Sequence, residues 1–188
     1  MDRAVLLKAA QRLVRPDERI LLPDFIAEAE RRHLLDWAIS TEPYLRTNGH
    51  ERLCKKTALL PTVDALYHSV RLAIQRHMGL PDDSAPEPEH GWLVSIIKAG
   101  GMVHPHIDST PPGLRQLRCN LFLQVPEDGG RPVIDGVPID VRERMLLAFY
   151  PSERKHWSEP VCGARARVML SFGYLVPLDY RLPAAARD

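Results

Sequence analysis

The hydrophobic period of the chain changes near its middle. In "DFIAEAERRHLLDWAIS", residues 24 to 40, Ile26, Ala29, His33, Leu34 and Trp37 recur at helical spacing, and Asp24 stands where an N-cap is expected. In "TVDALYHSVRLAIQRHMG", residues 62 to 79, Val63, Leu66, Val70, Ala73, Ile74 and His77 line one stripe. Thr62, just after Pro61, is the expected cap of this second helix, and Gly79 its stop. A shorter helix is expected over residues 3 to 14. The acidic, proline-rich stretch "LPDDSAPEPEHG" then reads as an exposed connection.

From Trp92 onward the apolar residues come in short runs separated by Gly, Pro and Asp. "WLVSIIKAG", "MVHPHID", "QLRCNLFLQV", "RPVIDGVPI", "RMLLAFYP", "HWSEPV" and "RARVMLSFGYLV" are strand candidates, and "EDGGR" is a turn. Strands that follow helices in this way predict an α+β fold: a double-stranded β-helix (jelly roll) with the N-terminal helices packed on one sheet. Residues 1–90 would be mainly helical support and residues 91–178 the jelly-roll core of one domain spanning 1–188, because neither half buries enough surface alone.

Composition narrows the partners. The 188 residues carry a formal net charge of +1, which gives no field for nucleic acid or an anionic membrane. The first twenty residues mix charges with apolar residues, unlike a signal peptide, and no apolar run is long enough to span a bilayer. Cys54, Cys119 and Cys162 are three and far apart, which suits free thiols in a reducing cytoplasm. A cytoplasmic enzyme or binding module is therefore expected, and oligomeric state is unreadable.

The chemistry concentrates in "GGMVHPHIDST". On a strand, His104, His106 and Asp108 would point the same way. With the later His156 this cluster could supply two histidines and one carboxylate on one face of an iron, leaving positions open for a keto acid and dioxygen. The far carboxylate of a keto acid needs a cation, and Arg167 in "RARVMLSFG" could hold it bidentately. Ser171 shares the strand face of Arg167 and could add a hydroxyl contact; Arg165 shares that face too and is the rival.

At these residues the chain resembles the 2-oxoglutarate/Fe(II)-dependent dioxygenase superfamily, particularly its prolyl-hydroxylase-like branch. The resemblance runs from about Trp92 to Val176. It rests on the HxD pair His106 and Asp108, "EDGG" at 127 to 130, "RMLLAFYP" before His156, and "EPVCGARARVMLSFG". It implies that His106, Asp108 and His156 bind Fe(II) and that Arg167, or Arg165, binds 2-oxoglutarate, with O2 as co-substrate. The tyrosine that many relatives use for the co-substrate has no counterpart, and Asn120 stands as a polar substitute. The implied reaction is hydroxylation of an amino-acid-like small molecule or a peptidyl side chain, with release of succinate and CO2. A related desaturase or cyclising oxidase would use the same groups.

The competing reading starts from His104. An HxH pair also opens cupin and zinc sites, so a non-catalytic cupin-type jelly roll acting as a small-molecule sensor or binding module is the alternative. His104 itself is expected beside the metal rather than on it. Trp157 could wall the substrate pocket, Phe122 and Tyr150 read as core, and His50, His68, His77 and His90 need no special role. The stretches 41 to 60, 81 to 90 and 109 to 116 are expected to shape the pocket mouth.

Overall fold

The computed structural model describes residues 19–49 and 51–183. The expected helix over 3 to 14 and His50 lie outside the described residues. Strand pairing is antiparallel throughout. The strands are β1 (Arg19–Leu22), β2 (Arg46–Thr47), β3 (Arg52–Lys56), β4 (Trp92–Ile97), β5 (Leu114–Gln124), β6 (Asp128–Gly129), β7 (Pro132–Ile134), β8 (Val137–Pro138), β9 (Leu146–Phe149), β10 (His156–Ser158), β11 (Val161–Cys162) and β12 (Arg167–Pro177). A seven-stranded sheet has the order β1-β9-β5-β12-β4-β3-β2, and two smaller sheets have the orders β10-β7-β8 and β11-β6.

The two faces of the large sheet carry different chemistry because strand side chains alternate. On one face Val168, Leu170, Phe172 and Tyr174 of β12 join Leu117, Cys119, Leu121 and Leu123 of β5 in a buried core. Leu34 and Ala38 of helix α1 (Glu28–Ser40) and Tyr67, Val70 and Ile74 of helix α2 (Ala65–His77) belong to that same cluster. Tyr67 stacks on Phe172 with ring centroids 5.3 Å apart, so α2 is pinned to the sheet by an aromatic pair. Each such aliphatic or aromatic side chain is worth about 1.5–3 kcal/mol of burial. On the other face Phe122, Leu147, Phe149 and Met169 meet Ile134 and Ile139 from the smaller-sheet side. The candidate site occupies the space beside this second, smaller core.

Several element boundaries differ from the sequence expectation. Asp24 does not cap α1: it sits in the left-handed region at φ 51° and pairs with Arg144. The helix starts after Ala27, whose backbone N–H donates to the Glu30 carboxylate at 2.7 Å. Thr62 does not cap α2; the Asp64 carboxylate does, accepting from Leu66 N at 2.8 Å. "RPVIDGVPI" is a hairpin rather than one strand, because Asp135 and Gly136 both take positive φ between β7 and β8. The stretch 41 to 60 contains β2 and β3, which extend the large sheet beyond β4.

"MVHPHID" is not a regular strand. It runs antiparallel to residues 156–161 through separate bonds: Ser158 N to Val103 O at 3.1 Å, and the reciprocal pair between His106 and His156 at 3.0 and 2.9 Å. Pro105 has no N–H to contribute, which breaks the ladder between those contacts.

Candidate metal centre and its cavity

The reciprocal backbone bonds between His106 and His156 put their rings side by side, with centroids 4.1 Å apart. Asp108 is fixed two residues on, where its N–H donates to Pro151 O at 3.0 Å. One ligand atom from each of His106, Asp108 and His156 lies within 4.8 Å of the others. His104 is exposed and stands outside this group, so the HxH arrangement is not the one brought together.

Backbone carbonyls decide which ring nitrogens face inward. Nδ1 of His106 lies 2.7 Å from His104 O, and Nδ1 of His156 lies 3.0 Å from Arg154 O. A carbonyl only accepts, so each Nδ1 carries its hydrogen; in the neutral ring Nε2 then has the lone pair facing the common centre, and in protonated His106 Nε2–H donates to Asp108. His106 Nε2 is 3.2 Å from Asp108 Oδ1, and His156 Nε2 is 3.9 Å from the same oxygen. The other carboxylate oxygen, Oδ2, accepts from Arg118 Nη2 at 3.1 Å. Asp108 thus has one oxygen committed to the protein and one turned to the histidines.

Burial and charge act in opposite directions on these groups. Burial opposes ionisation of Asp108, but the His106 hydrogen bond and the Arg118 charge outweigh it and hold the carboxyl well below its ordinary value. Burial drives His156 down to about 4, so its imidazole is neutral and available as a ligand. The bond to Asp108 raises His106, whose side chain is 40% exposed against 13% for His156.

The cavity around this centre encloses about 660 Å³, its mouth included. Asn120, Arg167 and Ser171 all line it. Asn120 and Ser171 are direct partners across β5 and β12, which puts them on one face beside Met169. Asn120 Oδ1 is buried without a hydrogen-bond partner among the described residues. Arg167 is 3% exposed, and its Nη1 donates to Gly130 O at 2.7 Å. Burial, with a smaller push from Arg52, lowers it to about 9. Arg165 precedes β12, is exposed, and pairs with Glu143; the expected shared face of the two arginines is not found. The strand begins only at Arg167, so alternation does not reach back to Arg165.

"EDGG" forms β6 and the residue after it rather than a free turn. A Cβ at Gly129 would meet Pro160 O at 2.1 Å, so only glycine allows that approach. This close crossing presents the Gly130 carbonyl to Arg167.

Three charged or ionisable cavity residues had no role expected from the sequence. Arg52 of β3 and Arg118 of β5 both line the cavity, and so does His90, for which no special role was expected. Arg118 is held from behind by Glu87, which is 2% exposed and accepts from the backbone N–H groups of Glu89, His90 and Gly91 at 2.6–2.8 Å. Gly173 makes room for it: a Cβ there would meet Glu87 Cγ at 2.7 Å. Glu87 is therefore a buried structural acid inside a loop that reads as exposed. Arg118 was legible, since it alternates with Asn120 and Phe122 in "RCNLF". Trp157, Val103 and Phe149 wall the cavity with apolar surface, and Phe122 lines it as well as joining the smaller core.

The residues fit a metal and a keto acid on chemical grounds. Two neutral-capable imidazoles and one carboxylate converge on a point, and a buried guanidinium with no carboxylate partner among the described residues stands in the same cavity. No helix among the described residues is long and apolar enough to cross a membrane.

No protein-family model matches the sequence, and no curated protein matches it. Solved structures do. The viral collagen prolyl hydroxylase of Paramecium bursaria Chlorella virus-1, solved as a 2-oxoglutarate complex, aligns with a TM-score of 0.62 at 15% identity, over 84% of this chain and 95% of that one. A Pseudomonas putida prolyl-4-hydroxylase aligns with a TM-score of 0.62 at 19% identity, over 93% and 98%. HygX from Streptomyces hygroscopicus, with nickel, 2-oxoglutarate and hygromycin B bound, aligns with a TM-score of 0.63 at 11% identity, over 95% and 88%. The chain thus has the jelly-roll fold of solved prolyl hydroxylases and other 2-oxoglutarate-dependent oxygenases.

Proposed function

We propose that the protein is an Fe(II)- and 2-oxoglutarate-dependent oxygenase that hydroxylates an amino-acid-like small molecule or a peptidyl side chain. The observation that carries this reading is the convergence of His106, Asp108 and His156 in a cavity that also holds the buried Arg167. The metal- and 2-oxoglutarate-bound neighbours of the same fold support it.

In this reading His106 and His156 bind the metal through Nε2 and Asp108 through Oδ1. The carbonyls of His104 and Arg154 hold the two rings in orientation. Arg118 keeps Oδ2 of Asp108 occupied, so Asp108 would offer a metal its Oδ1. Arg167 receives the far carboxylate of 2-oxoglutarate, with Asn120 and Ser171 contributing polar contacts from the adjoining strand positions. Bound Fe(II), with 2-oxoglutarate and O2, supplies the oxidising power to break an unactivated C–H bond, releasing succinate and CO2. Trp157, Val103 and Phe149 keep water from the reacting face.

The test is anaerobic addition of Fe(II) and 2-oxoglutarate to the purified chain. A weak visible charge-transfer band is expected, followed by succinate formation when air is admitted. Absence of the band at saturating Fe(II) and 2-oxoglutarate refutes the assignment.

A further inference from the structure

Arg52 has no role in holding the metal or the keto acid as derived above, yet it lines the same cavity. Its placement is built into the sheet. Arg52 of β3 pairs in register with Ile97 of β4, and Ile97 pairs with Arg167 of β12. The two arginines therefore sit in one cross-strand row and on one face, two strand spacings or about 9–10 Å apart along the hydrogen-bonding direction.

The Arg52 guanidinium makes no hydrogen bond or ion pair with any described residue, and its Nε is buried without a partner. Among the described residues Asp108 is the only carboxylate lining the cavity, and its two oxygens already face His106 and Arg118. Charge counting points the same way. Arg52, Arg118, Arg167 and a divalent metal bring five positive charges; Asp108, Glu87 and dianionic 2-oxoglutarate bring four negative ones. The unmatched charge is that of Arg52, because Arg118 has Glu87 and Arg167 has the keto acid. A half-buried guanidinium fork left over beside the reacting centre matches a carboxylate on the molecule that reacts.

We propose that Arg52 is a specificity-determining residue that binds the carboxylate of the substrate to be oxidised, and that this substrate is a small organic acid, the free carboxylate of an amino acid included. This rests on the oxygenase reading. Arg52 stands only two strand spacings from Arg167 in the same cavity, so the acid it holds must be short enough to reach the metal beside 2-oxoglutarate.

The experiment uses the full chain loaded with Mn(II) and saturating 2-oxoglutarate, with carboxyl-labelled ¹³C-acetate as probe and ¹³C-acetamide as its uncharged control. Relaxation of each labelled carbon by the bound Mn(II) reports occupancy near the metal. Acetate is expected to exceed acetamide by on the order of tenfold, as a charge-assisted pair predicts. Arg52→Gln is expected to bring acetate down to the acetamide level while its 2-oxoglutarate affinity stays at the wild-type value; Arg52→Lys is expected to retain part of the difference. Equal relaxation of the two probes in the wild type overturns the proposal, whether or not the variants fold. So does an acetate effect that persists undiminished in Arg52→Gln, which would put the acetate on the metal. Loss of 2-oxoglutarate affinity in a folded Arg52→Gln would move Arg52 to the keto-acid site and also overturn it. Failure of the wild type to bind Mn(II) or 2-oxoglutarate is a separate outcome: it refutes the oxygenase reading, and this inference with it.

Discussion

Replacing Arg167 with methionine should make the ligand-free protein more stable while abolishing its response to 2-oxoglutarate. Arg167 is 3% exposed and has no carboxylate beside it among the described residues. Burial and the neighbouring Arg52 push it from 12.5 to about 9. That displacement corresponds to about 5 kcal/mol of destabilisation at neutral pH, since the unfolded chain keeps the charge in water. The hydrogen bond to Gly130 O returns about 1.5–3 kcal/mol as a charge-assisted contact. The net cost of keeping the cation is therefore about 2–3.5 kcal/mol. Methionine fills most of the volume without the charge, although it strands the Gly130 carbonyl. A gain of about 1–2 kcal/mol remains, or a Tm rise of about 2–8 °C for a chain of this size. Loading reverses the order. At fixed saturating metal, 2-oxoglutarate at a hundred times its Kd should add about 2.7 kcal/mol to the wild type beyond what the metal supplies, and little to Arg167→Met. Denaturant titration of both proteins, with and without 2-oxoglutarate at fixed metal, measures each quantity. A ligand-free Arg167→Met less stable than wild type by more than about 1 kcal/mol would show that Arg167 is a structural anchor. A retained 2-oxoglutarate response would refute its part in co-substrate binding.

Other outcomes follow from the same geometry. Asp108→Ala and His156→Ala should each weaken Mn(II) binding by about a hundredfold or more in calorimetry, whereas His104→Ala should bind nearly as wild type, because only its backbone carbonyl orients His106. Arg118→Met should cost the metal-free protein about 3 kcal/mol, leaving Glu87 and Asp108 buried without their cation, and clearly less once Mn(II) neutralises Asp108; equal losses with and without metal would contradict the pairing. Metal-free stability should fall as pH drops from about 6.5 toward 4, by about 3 kcal/mol at most from this residue, because unfolded His156 takes a proton that its buried site refuses. His156→Gln should flatten that part of the pH profile in denaturation experiments at pH 7 and 4.5.

The regular parts of this fold were legible where one period dominates. The stripe of α2 reflects burial of one face, and the long apolar runs of β5 and β12 reflect burial on both, and burial is what a hydrophobic pattern encodes. β1 and β3 were not legible for the converse reason. "RLCKK" is half-buried at every position, so neither face stands out, and the strand exists because it pairs with β4. The caps failed in a related way. Asp24 and Thr62 are chemically suitable caps, but α1 starts at Ala27 with a local bond to Glu30, and Asp64 caps α2 while also bonding His33; in Asp24's case the ion pair with Arg144 holds it outside the helix.

The candidate site shows how a spacing can point to residues that converge in the fold, for an incomplete reason. "HPHID" suggests a strand that would align three side chains, yet Pro105 breaks the ladder and His104 faces out. His106 and Asp108 converge because two separate backbone anchors hold them: His106 on His156, and Asp108 on Pro151. The distal histidine is thus a hydrogen-bond partner of the proximal one as well as its neighbour at the centre. The charges behind the centre were harder to read. Glu87 reaches Arg118 across a loop-to-sheet contact that needs Gly173 bare, and Arg52 enters the cavity only because β3 registers on β4. Such pairings depend on strand order, and strand order is decided by the whole sheet rather than by any local run of residues. The electrostatics of the candidate site therefore belong to the topology, while the residues that converge there are already grouped in the chain.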